Sequence, residues 1–417
     1  MLVGEVDNTR GDLDAALKAY KEAASTTEEL LRRDPNNAQR IFDHAQSVFW
    51  VGYIAWQRGD AATAKKYFTQ YKDYADQLVA IDPENDDWQM EEKYSLTNLG
   101  TLELDQGNAA GAEDHFRHAL DISLALLAKK PGDSKRIFTA GQAHAWLAVA
   151  MVQELNFEGA KNQRLLEIAL YQKAAADAPG DIAYLEPQAP AFRNLATIEL
   201  YQGDLQAAKS YIMRGQSVSG ALTDRDPSNT LWQEFAGRDA MLEGQINLFH
   251  GELGMARVAL NKAVHIGNML VSTKSDTVAW QRDTLSKAEI LLARVAGKSG
   301  DKQEAARLAQ KALRELQKLS SENDGDIKAI ENKTAAIEVL VEIGMRPPQR
   351  WAEIVSMLAP IGEHAPPVAQ ARYAHALAAL GRKEDARPIA LRLLAAGYRH
   401  PDFIRLLNEH PTLVAER

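Results

Sequence analysis

Apolar residues along most of this chain recur at steps of three and four rather than two, which predicts helices and not strands. The stretch Ile41–Arg58, IFDHAQSVFWVGYIAWQR, is one such run. A break at Gly59-Asp60 separates it from a second run, Ala61–Ile81, which ends at Asp82-Pro83. Gly59 can take the left-handed conformation that closes a helix, and Asp60 can cap the next one. Pro83 cannot continue the second helix, and its neighbours Asp82, Asn85 and Asp86 suit a turn. The two runs predict one hairpin, made of a helix A and a helix B.

This hairpin is repeated. Pro35, Pro83, Pro131, Pro179 and Pro227 stand 48 residues apart. Gly11, Gly59, Gly107, Gly203 and Gly251 keep the same step, and Gly300 follows one residue late. Ala16, Ala64, Ala112, Ala160, Ala208 and Ala256 form a third ladder, continued at Ala305. Three residue types on one period mean one structural unit repeated about seven times. Each alanine lies one turn into helix B. Gly4, Gly52, Gly100, Ala148, Ala196 and Gly244 hold the matching place in helix A. Two small residues let the backbones approach, and a larger one would overpack the crossing by about 1–3 kcal/mol. Four residues after the alanine a large apolar side chain follows (Tyr20, Phe68, Phe116, Ile212, Leu260) and fills the space beside the small pair.

Small residue, turn glycine, alanine, aromatic or aliphatic residue and closing proline, in that order, resemble the tetratricopeptide repeat (TPR) family. Leu99-Gly100, Gly107, Ala112, Phe116 and Pro131 are the best single copy. TPR units are typically about 34 residues long, so the present units resemble a long-helix variant with some seven extra residues per helix. The resemblance covers residues 1 to about 320. It implies an all-α, right-handed superhelical solenoid whose helices A line a concave groove, and a non-catalytic role in binding a protein or peptide there. Long variants of this kind resemble regions of bacterial multidomain signalling proteins, where they follow an output domain. Gly4 aligns with Gly52, so the numbering opens in the middle of a helix A. That predicts the C-terminal region of a longer protein.

The period breaks in three places. In the fourth hairpin Leu155 stands where the turn glycine belongs, and Arg164 replaces the aromatic. Pro187 and Pro190 fall where the next helix A should run, which predicts a short helix starting near Pro190 and a notch or hinge between residues 155 and 195. After Gly300 the spacing shortens, with helices expected over Asp326–Ile343, Gln349–Leu358, Val368–Leu380 and Glu384–Ala396. Gly381 and Ala386 there mark a unit of ordinary TPR length. Residues Gly397–Arg417 are expected to cover the open end of the array. By period, then, the chain divides into an array at 1–321 and a region of shorter hairpins and cap at 322–417.

Composition narrows the function. With 417 residues, 46% hydrophobic and 25% charged, the chain is a globular one. A net charge of −9 without clustered Lys and Arg argues against nucleic acid as a partner. No apolar run is long enough to predict a membrane segment. The absence of cysteine excludes disulfides, thiolate catalysis and cysteine-based zinc sites, and leaves cytoplasmic and periplasmic settings both open. Lys129-Lys130 and Lys135-Arg136 meet at a repeat turn, where solvated charge is the ordinary reading. His115 and His118 lie on one helix face, and with His144 could hold a metal, although histidines on a charged helix are ordinarily solvated. The sequence has no H-E-x-x-H, G-x-S-x-G, Walker-type or G-x-G-x-x-G motif. No cofactor is expected.

Groove positions in such repeats fall three residues before the small residue of helix A and one after it. They read Phe49 and Tyr53, Thr97 and Thr101, Ala145 and Val149, Arg193 and Thr197, Met241 and Gln245. Phe49, Tyr53 and Trp56 share one helix face, and such anchors make binding hot spots when exposed. They also suit the joint between neighbouring hairpins. Tyr201 and Phe249 hold related places in the fifth and sixth units. The candidate partner-binding set is therefore Phe49, Tyr53, Trp56, Thr97, Thr101, Arg193, Tyr201, Gln245 and Phe249. Trp88, Trp232 and Trp280 share one repeat position near the start of helix A, and that recurrence points to packing. Two other functions stay open: a sensor for a small molecule or short peptide, with Pro187–Pro190 at its pocket, and a module for self-association.

Overall fold

The computed structural model of the protein describes residues 13–273, 280–320 and 326–415. Gly4 and Gly11, and with them the half-hairpin expected at the start, lie outside the described residues. By packing, the chain forms two compact units, Met1–Ala150 and Met151–Arg417. The division at 321/322 expected from the sequence is one of repeat length.

In the first unit the helices are Leu13–Arg33 (α1), Ala38–Gln57 (α2), Ala61–Ile81 (α3), Asp86–Asp105 (α4) and Ala109–Lys129 (α5), with most of Ser134–Gln153 (α6). The second holds Phe157–Asp177 (α7), Ile182–Leu185 (α8), Gln188–Gln202 (α9), Leu205–Arg225 (α10), Thr230–Phe249 (α11) and Leu253–Ser272 (α12). It continues with Lys287–Lys298 (α13), Lys302–Ser320 (α14), Ile327–Glu342 (α15), Pro347–Leu358 (α16), Pro367–Ala379 (α17), Lys383–Ala395 (α18) and Pro401–Glu409 (α19). Among the described residues there is no strand, and the chain is an all-α solenoid of paired helices. None of the described helices is long and apolar enough to cross a membrane.

Each hairpin is built as its sequence implies. Asn37, Asp60, Asn85 and Asn108 cap α2 to α5 by accepting hydrogen bonds from first-turn amides. The small residue of helix A meets the large residue of helix B directly. A Cβ added to Gly52 would lie 2.8 Å from the Phe68 ring, one on Gly100 2.7 Å from Phe116, and one on Gly244 2.5 Å from Leu260. Ala64, Ala112, Ala208 and Ala256 are wholly buried beside these contacts.

Leu155 keeps the backbone conformation of the glycine it replaces, with φ +61°, and Asn156 caps α7 through the Gly159 amide. The irregular sequence therefore still makes a regular turn, at a steric cost of about 1–2 kcal/mol for a left-handed leucine. As the prolines require, α9 is short, and it begins at Gln188. The one-turn helix α8 occupies the adjoining stretch, with Tyr184 buried and its carbonyl accepting from Gln188 Nε2 at 2.7 Å.

Two of the three recurring tryptophans pack in the core, while Trp88 is half-buried. Trp232 and Trp280 are buried, and each indole donates to a glutamate of the preceding hairpin: Glu186 at 2.7 Å and Glu234 at 3.0 Å. The basic cluster at the third turn is not simply solvated. Arg136 is buried and bonds both the Leu126 carbonyl and Asp86, which Lys129 also reaches at 2.9 Å.

The late step at Gly300 has a structural cause. Trp280 is still on the 48-residue ladder, whereas Gly300 and Ala305 are one residue behind. Between them, Gln281–Ser286 winds as a π-helix. A π-turn accommodates one extra residue in a helix. Ala293, wholly buried, then takes the small-residue place one position later than the ladder predicts.

Candidate functional site

Within the second unit the inner positions of three successive hairpins converge on a cavity of about 290 Å³. Arg193 and Thr197 of α9, Met241 and Gln245 of α11, and Ile290 and Arg294 of α13 all line it. These are the positions three before and one after the small residue in each helix. The first two pairs were legible from the 48-residue step. Ile290 and Arg294 were not, because the inserted residue moves their frame by one; a 49-residue step would have found them. Asp283, in the π-helical turn, also lines the cavity, in keeping with the frequent placing of such turns at functional sites.

Charges around the cavity are paired across hairpins. Arg193 bonds the fully buried Asp239 at 2.9 Å. Asp283 lies near Arg282, Arg238 and Lys328, at 2.5, 3.6 and 3.8 Å. Burial pushes its carboxyl up, but these three cations together hold it below the usual carboxylate range.

The remaining wall comes from the C-terminal segment. The Arg399 amide donates to the Tyr201 carbonyl at 2.7 Å. Arg294 grips Asp402 with two bonds, at 2.8 and 2.6 Å, and also reaches Glu342 at 2.9 Å. The His400 ring meets the Phe249 ring edge-on at 5.0 Å, and Tyr398 packs 5.7 Å from Tyr201. The C-terminal segment therefore packs on the Tyr201 and Phe249 rings, of which Tyr201 still lines the cavity. This segment returns to the fifth hairpin.

His400 is an unusual wall residue. It is 1% exposed, and burial pushes its imidazole down to about 4, so the ring is neutral at neutral pH. Its Nδ1 accepts from the Asp402 amide at 3.3 Å, which leaves the proton on Nε2. Among the described residues, that Nε2–H has no acceptor.

The candidates of the first unit have other surroundings. Phe49, Tyr53 and Trp56 are half-buried against Ala55, Phe68 and Leu102. Phe49 also approaches Tyr71 at 5.4 Å, and the Trp56 indole donates to Asp105 of α4 at 2.6 Å. The Thr97 and Thr101 hydroxyls bond carbonyls of their own helix, those of Lys93 and Thr97. His115 lies 3.6 Å from Glu103. Among the described residues, the ligand-type atoms that converge are those of His375, Glu409 and His410, and not those of His115, His118 and His144.

These features define a class, the all-α helical-hairpin repeat proteins. A family model described as tetratricopeptide repeat matches residues 94–129, the end of α4 and all of α5, where Gly100, Gly107, Ala112 and Phe116 stand. No curated protein sequence matches the chain. Among solved structures it is similar to the Rap conjugation gene regulator of the plasmid pLS20, in complex with the Phr* peptide. That chain is 12% identical, with 96% of this chain and 98% of the regulator covered, at a TM-score of 0.52. The apo form of RapI is 17% identical over 76% of this chain and 96% of its own, with a TM-score of 0.49. The protein is an array of TPR-like helical hairpins with repeats of roughly 40–50 residues.

Proposed function

We propose that the protein is a non-catalytic peptide-binding module and that the cavity of the second unit is its binding site. The observation that carries this reading is the convergence of repeat-equivalent inner residues on one cavity whose wall holds the unpartnered Nε2–H of His400. A buried donor without an acceptor is costly, on the order of 1–3 kcal/mol, and a ligand carbonyl or carboxylate would satisfy it. About 290 Å³ suits a few residues of extended peptide, not a folded protein. The alternating cations and carboxylates around it, Arg193, Asp283, Lys287, Arg294 and Glu331 among them, suit a main chain with its many dipoles.

Arg193, Tyr201 and Gln245 are the partner-binding residues in this reading. Phe49, Tyr53, Trp56, Thr97 and Thr101 serve the first unit's own packing, and Phe249 supports His400. A structural relative was solved with a peptide bound; the likeness bears on the fold, and the peptide reading here rests on the cavity. The test is a thermal-shift screen against pooled synthetic linear peptides, since a ligand that binds only the native state raises its melting temperature. Pools that stabilise the protein are expected. A flat response across all pools would contradict the proposal.

A further inference from the structure

Three ligand-type side chains meet at the C-terminal end of α19, outside the cavity. His375 of α17, Glu409 and His410 each offer one atom, and these atoms lie within 4.8 Å of one another. His375 Nε2 is 3.0 Å from Glu409 Oε2, and the two imidazole rings are 6.3 Å apart. No spacing along the chain announces this group, because α17 and the end of α19 are brought together only by the fold.

The chemistry of the set is specific. Two imidazoles and one carboxylate are the borderline nitrogen and oxygen donors that zinc accepts, in a tetrahedral site with bonds of about 2.0–2.2 Å. Small side-chain rotations would bring the three atoms from their present spacing to that geometry. His375 also has the support that a ligating histidine needs. Its Nδ1 lies 3.5 Å from Glu338 Oε1, and Glu338 is itself held by Arg372 at 2.9 Å and Arg405 at 3.3 Å. A carboxylate on the far ring nitrogen orients a ligand histidine and directs its other nitrogen at the metal. The Trp351 ring, 4.7 Å away, packs against the imidazole. Glu409 is exposed and His410 half-buried, so an ion can enter and water can complete the coordination.

We propose that His375, Glu409 and His410 form a zinc site that fastens α19 to α17. Its role is structural. It would anchor the far end of the helix whose first turn supplies Asp402 to the cavity wall.

The test uses the full chain, freed of metal with a chelator and titrated with zinc chloride by calorimetry, with melting temperature as a second readout. One equivalent of zinc is expected to bind and to raise the melting temperature. His410→Ala should lose this binding and Glu409→Gln should weaken it at least tenfold, whereas a His115→Ala/His118→Ala variant should bind as the wild type does. Both of the first two substitutions lie at the surface end of α19, and circular dichroism verifies that each remains folded. If the wild-type protein binds no zinc, or if His410→Ala and Glu409→Gln bind it undiminished, the proposal is overturned.

Discussion

The backbone amide of Arg399 donates to the carbonyl of Tyr201 at 2.7 Å, tying the C-terminal segment to the last turn of α9. The approach is close enough to constrain the neighbouring turn. Gly203 has φ +82°, and a Cβ there would lie 2.7 Å from the Arg399 carbonyl oxygen. Gly251, at the equivalent turn one repeat later, has φ +81° and open space where its Cβ would be.

These two glycines separate backbone strain from contact with the chain end. Alanine at either position meets the left-handed penalty of about 1–2 kcal/mol. Only Gly203→Ala also collides with the C-terminal segment, so it should lose about 1–3 kcal/mol more than Gly251→Ala. Urea unfolding of the two variants measures the difference. Equal losses would mean that residue 399 does not lie against this turn in solution.

His400 predicts a pH dependence. Its folded-state value is lowered to about 4 from an ordinary 6.5, so between those values the unfolded chain binds a proton that the folded chain refuses. Stability should therefore fall as the pH drops from 6.5 to 4, by on the order of 3 kcal/mol from this group. His375 does not blunt the effect. Burial lowers its value, but Glu338 raises it above normal, so its contribution is complete below pH 6.5 and is lost only as the pH rises. Glu338 is held low by its hydrogen bond to His375 and then by Arg372, Arg294 and Arg405, and Asp402 by Arg294, both against the effect of burial; their loss sets in only towards the acid end of this window and adds to the same trend. His44, His115 and His410 are lowered chiefly by burial and act in the same direction as His400. The informative comparison is thus with His400→Gln, whose melting temperature should fall less between pH 7 and pH 4.5 than that of the wild type.

The repeat alignment makes its own prediction. Ala112 is wholly buried, while Lys66 is an exposed residue of an equivalent helix B. Ala112→Leu should cost about 1–3 kcal/mol, and Lys66→Leu should stay within about 0.5 kcal/mol of wild type. Equal melting temperatures would sink the alignment.

The aromatic face of α2 separates packing from binding. A Phe49→Ala/Tyr53→Ala/Trp56→Ala variant should weaken hydrogen-exchange protection throughout residues 38–105. It should leave stabilisation by peptide pools intact. Loss of the peptide response in a variant that keeps its protection would move the site to α2.

Much of this was legible in the sequence, because each ladder encodes a contact that every hairpin must make. Gly52 against Phe68 and Gly100 against Phe116 are local consequences of a shared pattern, and so are the caps at Asn85 and Asn108. Two other features follow from no repeated contact. The π-turn at Gln281–Ser286 needs only one inserted residue, visible as the late Gly300, but its effect on Ile290 and Arg294 depends on where in the helix the insertion sits. The return of Arg399, His400 and Asp402 to α9, α11 and α13 depends on how the shorter hairpins after residue 326 stack. No single residue in that stretch specifies it.

The most direct test of the cavity as a peptide site is to fill it. Gln245 lines the cavity and is half-buried, so Gln245→Trp should occupy the space while leaving the hairpin contacts of Gly244 and Leu260 in place. Wild type and variant would each be incubated with one pooled library of linear peptides, and retained peptides identified by mass spectrometry. The cavity reading predicts a defined set of peptides on the wild type, lost from the folded variant. The same set retained by both proteins would contradict it.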